Sequence, residues 1–512
     1  MISRIRQTWD NHPLPLILVM AAVCRLVAAI FARGWGMFDD HFLVIESAQS
    51  WVDHAQANQW LPSGLANHGP TGHLLLYPGL HYLLFSFLEL LGLTDPQGKM
   101  IVVRLLHGAY SLLTIILGYH IAEKLDGRSS ARLCALLLAI LWFMPWLSVR
   151  NLVEAVCVPC LMAGFWIMVR KEEHRYEFQA FLFSGLLFGL AADIRLQSIL
   201  FPVGAGVVLL LSRRWVPLLG LATGTVAGIF LVLGIIDLAL WGTPFAELFK
   251  YISLNIADKE CFTTFPWYNY LALLAGILIP PVSLFFLFGA VKSGARYPLI
   301  SIPALLFLVF HMIFVNRQER FILPVIPFVI LLGVIGWNRF IRQLRLRTIQ
   351  RKVLQGCWIF FWMINLLLLA VATVNYSKRS RAETMCYLAK YAGIGGILVA
   401  DEDDAPELFP RFYLGQWPVM FDTFSGRDSL EGAISRARQA PENDRPGFIL
   451  FPGNERLPER VAKIRESFPG IVYETTIEPG LIDQVLHRLN PINQNNVIII
   501  YRNTDLFPVH RD

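Results

Sequence analysis

The chain has 512 residues, 55% of them hydrophobic and only 16% charged, with a formal net charge of +6. Soluble domains average about 25% charged residues, so the composition excludes a purely water-soluble enzyme and indicates a polytopic membrane protein. The excess cations fall in short loops between apolar stretches, a positive-inside pattern and not a nucleic-acid footprint, so no nucleic-acid partner is expected.

Arg4 and Arg6 precede an apolar run that starts at Pro13 without a small-residue cleavage site. The first stretch therefore reads as a retained span, not a signal peptide. Stretches of about 20 apolar residues, the length that crosses a bilayer, lie near 13–32, 74–93, 99–121, 131–148, 151–169, 178–193, 196–211, 215–241, 268–291, 297–315, 321–337 and 354–375. The basic loops at Arg170 to Arg175, at Arg213-Arg214, at Lys292 with Arg296, and at Arg339 to Arg347 with Arg351 and Lys352 mark the cytoplasmic face. Loops 33–73, 242–267 and 316–320, and everything after Asn375, then lie on the opposite face. An amino terminus inside and a tail outside require an odd number of crossings. Twelve stretches therefore become eleven or thirteen spans, and the weakest assignments lie between 74 and 132, where Lys124, Arg128 and Arg132 fall on the wrong side.

Cys157-Val158-Pro159-Cys160 matches C-x-x-C but lacks the βαβ context of a redox site, so it reads as packing. His81, His107, His120 and His311 stand alone in apolar stretches and read as packed or interfacial side chains.

After Asn375 the pattern changes. Gly396 to Ala400, Gly447 to Phe451 and Val497 to Tyr501 are short β-like runs, and charged helix-like stretches such as Leu457 to Phe468 lie between them. The chain is thus expected to hold a membrane-embedded catalytic domain over 1–377 and a soluble α/β domain over 378–512. Asp401-Glu402-Asp403-Asp404 reads as a solvated turn or helix start.

The chemistry-bearing residues cluster in the loops of the non-cytoplasmic face. Asp39, Asp40 and Glu46 follow the first stretch in Gly34-Trp35-Gly36-Met37-Phe38-Asp39-Asp40-His41-Phe42. Adjacent carboxylates at a membrane exit are costly beside lipid and suit a site where a hydroxyl loses a proton; a helix N-cap is the plain alternative. Asp193-Ile194-Arg195 lies between two stretches. Asp237, Trp241-Gly242 and Asn255 form a middle group, followed by Phe265-Pro266-Trp267-Tyr268-Asn269-Tyr270 and by Asn316-Arg317-Gln318-Glu319-Arg320-Phe321. Arginine neutralises phosphate through paired hydrogen bonds, and aromatic rings stack on sugars or prenyl chains. The set suits a phosphorylated, lipid-bearing substrate.

In order and spacing these motifs resemble the GT-C membrane glycosyltransferases, and most closely glycosyltransferase family 22, the ER α-mannosyltransferases of N-glycan and GPI-anchor assembly. The family's His-Pro-Asp-Glu-x-Phe corresponds to Met37-Phe38-Asp39-Asp40-His41-Phe42, with Glu46 in register. Its Asp, aromatic-Gly and Asn correspond to Asp237, Trp241-Gly242 and Asn255. Its His-Pro-Trp-x-x-Tyr corresponds to Phe265 through Tyr270, and its His-Lys-Glu-x-Arg-Phe-x-x-Pro to Asn316 through Pro324.

The resemblance implies a GT-C fold of about 11–13 spans carrying the soluble α/β domain. It implies inverting transfer of a sugar, with mannose the family's usual one, from a polyprenyl-phosphate sugar donor to a glycan or glycolipid acceptor, with membrane lipids around the site. Asp39 is the implied base, and Asp40 orients the acceptor or the base. Arg320, with Arg317 and Arg195, is implied to bind the lipid phosphate. Glu46, Asp237, Asn255, Trp267 and Tyr268 are the expected substrate contacts. No cofactor is required, although paired carboxylates leave room for a divalent metal. The rival readings are a GT-C transfer onto protein or lipid A, a flippase for lipid-linked sugars, or a scaffold in a glycan-assembly complex. No internal repeat of the kind transporters carry is evident. Residues 378–512 hold no Asn-x-Ser/Thr sequon, which favours a bacterial inner membrane with a periplasmic site and tail; in a eukaryotic cell both would face the ER lumen.

Overall fold

The computed structural model describes residues 9–54, 69–170, 176–257, 265–314, 316–401, 407–423, 429–489 and 495–508. The chain forms two compact units. One comprises Met1–Phe31, Leu65–Leu80 and Val102–Val374, the other Ala32–Gly64, His81–Ile101 and Asn375–Asp512.

The protein is a polytopic helical membrane protein. Among the described residues, Pro13–Phe31, Pro96–Asp126, Val153–Arg170, Glu177–Ile194, Trp215–Trp241, Glu319–Gln343 and Thr348–Thr373 are long and apolar enough to cross a bilayer. Leu196–Leu211 and Pro298–Ile313 are shorter, and Asn269–Ile277 meets Val282–Gly294 at a bend of 119°. Pro280 and Pro281 occupy that bend; proline lacks the N–H and clashes with the preceding turn. A second break follows Arg128–Ile140. There the Trp142 N–H donates to Asn365 Oδ1 (2.9 Å), and Asn365 Nδ2 donates to the Ile140 carbonyl (2.9 Å). A polar side chain thus takes up backbone groups that an apolar medium would leave unsatisfied.

One end of this first unit is basic. Arg132 donates to the Asp10 carbonyl, Arg339 and Arg342 share Asp126 Oδ1 at 2.6 Å each, and the Tyr297 hydroxyl donates to the Leu125 carbonyl. Lys124, Arg128 and Arg132 therefore share an end with the Arg339 loop, although a count of twelve stretches would put them on the opposite face. Leu76–Leu90 has 15 residues, about 22 Å of helix against an apolar layer of about 30 Å. Arg128–Ile140, with 13 residues, is shorter still, so length and composition give seven spans among the described residues, or eight with the bent pair counted as one.

Close backbone packing holds the bundle. Gly220, Gly224 and Gly228 recur every fourth residue along Trp215–Ile229 and face Gly185 and Gly189 of Glu177–Ile194. A Cβ on Gly224 would lie 2.0 Å from the Leu182 carbonyl oxygen. Small residues at this spacing let membrane helices approach without side chains between them. Cys157 and Cys160 are free and buried, in keeping with a packing role.

In the second unit, β1 (Gly396–Val399), β2 (Val419–Phe421), β3 (Pro446–Pro452), β4 (Ile471–Ile477) and β5 (Ile498–Asn503) form one sheet. Its order is β2-β1-β3-β5-β4, with β1 parallel to β2 and β3, and β5 antiparallel to β3 and β4. The three apolar runs of the sequence are the central strands, buried as such runs require. Leu398, Ile449, Phe451 and Ile499 pack against Leu430, Ile434, Val461 and Ile464 of the covering helices. The edge strands β2 and β4 carried no such run. β4 is half polar, with Glu474 paired to Arg502 (3.1 Å) and bonded by the Tyr387 hydroxyl (2.8 Å).

Asp401 is buried, not solvated, and accepts from the Glu407 N–H (2.9 Å); residues 402–404 lie outside the described residues. Nearby, Glu407 lies 3.7 Å from Arg381, whose guanidinium rests 5.5 Å from the Trp35 ring. Burial pushes the Glu407 carboxyl from 4.5 up to about 7 despite the Arg381 charge. Burial, with the Arg381 charge, brings the Lys378 ammonium down to about 8. A carboxyl whose folded pKa is raised stabilises the fold below its ordinary pKa and loses that contribution as pH rises through the folded value. Unfolding of the full chain should therefore show stability that declines from about pH 4.5 to pH 7. Glu407→Gln should flatten that slope; an unchanged slope in thermal melts of the variant would contradict the assignment.

Candidate functional site

The end of the first unit opposite its basic end gathers most of the polar side chains singled out from sequence. Arg195 follows the last turn of Glu177–Ile194, and Arg320 lies in the 3-10 turn Glu319–Val325. Both guanidiniums are 7% exposed, and both face one carboxylate, Glu154, which is fully buried. Arg195 Nη1 donates to Glu154 Oε1 at 2.7 Å, and Arg320 Nε lies 3.7 Å from the same oxygen. Arg320 Nε also donates to Gln318 Oε1 (2.9 Å). The Phe321 ring lies 4.8 Å from the Arg195 guanidinium and 5.3 Å from that of Arg320, a cation–π contact to each. Arg195 Nε and Nη2 have no hydrogen-bond partner among the described residues. The cluster carries two cations against one anion, and Arg195 retains unspent donors.

A second network adjoins it. Gln197 Nε2 donates to the Tyr251 hydroxyl (2.6 Å). The Glu247 carboxylate accepts from the Gly72 N–H (2.6 Å) and the His73 N–H (3.1 Å), and the Glu247 N–H donates to Asp237 Oδ2 (2.9 Å). Asp193, buried and without a hydrogen-bond partner among the described residues, lies within electrostatic reach of Asp237. Trp241-Gly242 closes the helix that carries Asp237; Gly242 is left-handed, at φ +70°, where glycine caps a helix without strain. Asn255 falls in Ala246–Ala257, and its side chain lies outside the described residues. Arg317 Nη1 donates to the Phe265 carbonyl (2.6 Å), and the Tyr270 hydroxyl to the Gln318 carbonyl (3.0 Å), so the 265–270 and 316–321 motifs are bonded to each other. Trp267 and Tyr268 are 58% and 54% exposed, edge to face at 5.8 Å.

In the other unit, Asp39 and Asp40 end the short helix Phe38–Asp40, and a π-helical turn, His41–Glu46, follows. The Asp39 side chain lies outside the described residues. Asp40 is buried, and its two oxygens accept from the Gly36 N–H (3.1 Å) and the Met37 N–H (2.9 Å). It fixes the turn that precedes it. His41 stacks between Trp35 (4.9 Å) and Tyr413 (5.3 Å), and its burial pushes the imidazole down to about 3, so it is neutral at all ordinary pH. Glu46 is buried and held by Arg411 Nε (3.2 Å) and the Phe412 N–H (3.4 Å). Burial raises its pKa above the ordinary range, and Arg411 opposes that rise. Glu46 thus joins the first loop to the tail within this unit.

Sequence reasoning missed Glu154 and Glu247 as parts of these networks. Glu154 carried one signal, being the sole acid between Leu141 and Arg170; an acid in such a stretch needs a partner. Among the described residues, no group of three or more His, Cys, Asp or Glu side chains is placed to hold a metal ion.

The model of the Alg9-like mannosyltransferase family matches residues 73–389, more than half of the chain. The chain belongs to this family. No curated protein sequence matches it. Among solved structures, ArnT from Cupriavidus metallidurans bound to undecaprenyl phosphate is similar at TM-score 0.60 and 14% identity, over 95% of this chain and 97% of that one. The archaeal oligosaccharyltransferase AglB from Archaeoglobus fulgidus, in complex with an inhibitory peptide and a dolichol-phosphate, is similar at TM-score 0.51 and 10% identity, over 87% of this chain and 70% of that one. Both likenesses establish the GT-C fold. This Alg9-like chain is accordingly a membrane glycosyltransferase.

Truncating one partner of a buried ion pair strands the other and costs about 3–5 kcal/mol. Glu154→Ala should therefore lower the melting temperature of the detergent-solubilised protein well below that of Glu154→Gln, which keeps an acceptor for Arg195. Wild-type melting in Glu154→Ala would contradict the bridging role.

Proposed function

We propose that this protein moves a sugar, with mannose as first candidate, from a polyprenyl-phosphate donor to a glycan or glycolipid acceptor, with inversion at the anomeric carbon, on the extracytoplasmic face. The buried Arg195–Glu154–Arg320 cluster carries the reading, because it holds a net cation and unspent guanidinium donors in an apolar bundle. Such a group suits a lipid-linked phosphate, whose chain stays in the bilayer while its head needs charge. The undecaprenyl phosphate bound to ArnT and the dolichol-phosphate bound to AglB lend support.

In the proposed reaction the acceptor oxygen attacks the anomeric carbon from the face opposite the phosphate. Its proton passes to Asp39, the new glycosidic bond forms, and the carbon–oxygen bond to phosphate breaks with its electron pair on the departing polyprenyl phosphate. That phosphate gains negative charge in the transition state, so fixed guanidiniums stabilise the transition state more than the bound donor. Arg195 and Arg320 supply them, Glu154 positions both, and Arg317 adds charge from the neighbouring loop. Asp40 positions Asp39 through the Gly36–Met37 turn. Asp237 and Asn255 bind sugar hydroxyls, and Trp267 and Tyr268 offer exposed rings to sugar or prenyl chain. Glu46 acts through Arg411, which revises its expected role as a substrate contact. No cofactor is assigned a step.

The test is sugar transfer by the purified protein in lipid nanodiscs, with a panel of polyprenyl-phosphate sugars as donors and native lipid extract as acceptor. Loss of a general base lowers rates by roughly 10²–10⁴-fold, so Asp39→Asn should fall in that range on the preferred donor. Arg320→Ala should also lose activity. Equal turnover by Asp39→Asn and wild type would remove Asp39 as base. A folded wild type that uses no donor would favour the flippase or scaffold readings.

A further inference from the structure

Helix Leu481–Leu489 of the sheet-bearing unit is inside out. Helices of soluble domains turn their apolar stripe toward the core. Here Leu481, Val485 and Leu489, at i, i+4 and i+8, are exposed to 78%, 49% and 78%, and Leu486 beside them is exposed as well. The polar residues other than Arg488 face inward. Asp483 is buried and accepts from the Arg379 N–H (3.1 Å), and Gln484 is half-buried with its amide on the Pro479 carbonyl (3.3 Å). A contiguous apolar stripe on a soluble surface marks something that covers it.

The location of the anchor identifies the cover. Arg379 follows Thr373, the last residue of the apolar helix Thr348–Thr373, by six positions. At no more than about 3.6 Å per residue, the anchor lies within about 20 Å of the point where that helix leaves the membrane. Ser377 is tied to a second exit, because its N–H donates to the Arg33 carbonyl (3.2 Å) two residues beyond the end of Pro13–Phe31, and it bridges to Gly34. The segment that holds Leu481–Leu489 is therefore bound to the chain immediately beyond two membrane exits. Charge agrees. Arg488 is exposed beside the stripe, the one acid within the helix, Asp483, is buried, and Glu478 is exposed three positions before the helix; the helix itself thus shows a cation and no acid on its outer face, which suits an anionic lipid surface. Four apolar side chains fall far short of the roughly 800 Å² per partner of a stable protein interface, which argues against a second copy of the chain.

We propose that the outward face of Leu481–Leu489 docks into the surface of the bilayer, with Leu481, Val485 and Leu489 inserted at the boundary of headgroups and acyl chains, a depth of about 5–10 Å. The docked helix then tethers the soluble domain at the membrane through the Asp483–Arg379 bond. The inference is independent of which donor or acceptor the enzyme uses.

The test places the photo-crosslinking residue p-benzoylphenylalanine singly at positions 481, 485 and 489 of the full-length protein. The protein is reconstituted in nanodiscs of phosphatidylethanolamine and phosphatidylglycerol. Illumination should add the mass of one phospholipid at each position, and adding Leu481→Asp with Leu489→Asp should abolish the adduct at 485. Absence of lipid adducts at all three positions would overturn the proposal, as would cross-linked dimers in their place, which would assign the face to a second copy.

Discussion

Charge inside an apolar helical bundle must be paired, and in this protein the pairing of Arg195 and Arg320 by Glu154 organises what surrounds it. Two guanidiniums packed near one ring would repel each other and pay the full cost of leaving water. One shared carboxylate lowers both penalties and still leaves a net positive charge. Around this group the loops are bonded in sequence. Gln318 holds Arg320, Tyr270 holds the Gln318 backbone, and Arg317 holds Phe265. From Arg195 the contacts run through Gln197 to Tyr251, in the helix that carries Glu247 and so reaches Asp237. Residues distant in sequence thus converge on one end of the bundle.

The same economy governs the first loop. Asp40 spends both oxygens on the backbone of its own turn, and Glu46 spends its carboxylate on Arg411 and Phe412. Neutral His41 fills the space between Trp35 and Tyr413 as an aromatic plate. Two of the three acids that attract notice in this loop, Asp40 and Glu46, therefore build the setting.

The helical class, the apolar stretches, the three central strands and the motif loops were legible because each rests on local composition or spacing. Other features were not, for physical reasons. That Lys124 and Arg128 share an end with the Arg339 loop depends on contacts between Asp126, Arg339 and Arg342, more than 200 positions apart. The partner of Glu154 lies 41 positions away, so a single acid in an apolar run was visible but its purpose was not. Glu46 matched the family's register, yet its partner Arg411 is 365 positions on and outside every motif. The edge strands β2 and β4 are short or half polar because one edge of each is unpaired, and they lack the signal of a buried strand. Asp401 stood in an acidic run that resembles a solvated turn, and only the fold shows it turned inward to the Glu407 N–H.

In the proposed reaction the paired guanidiniums receive the lipid phosphate. The most direct measurement is an experimental structure of the protein in nanodiscs with polyprenyl phosphate bound. Phosphate density is expected within hydrogen-bond distance of Arg195 and Arg320, with Glu154 still bridging them. Phosphate density at a site that touches neither arginine would contradict it.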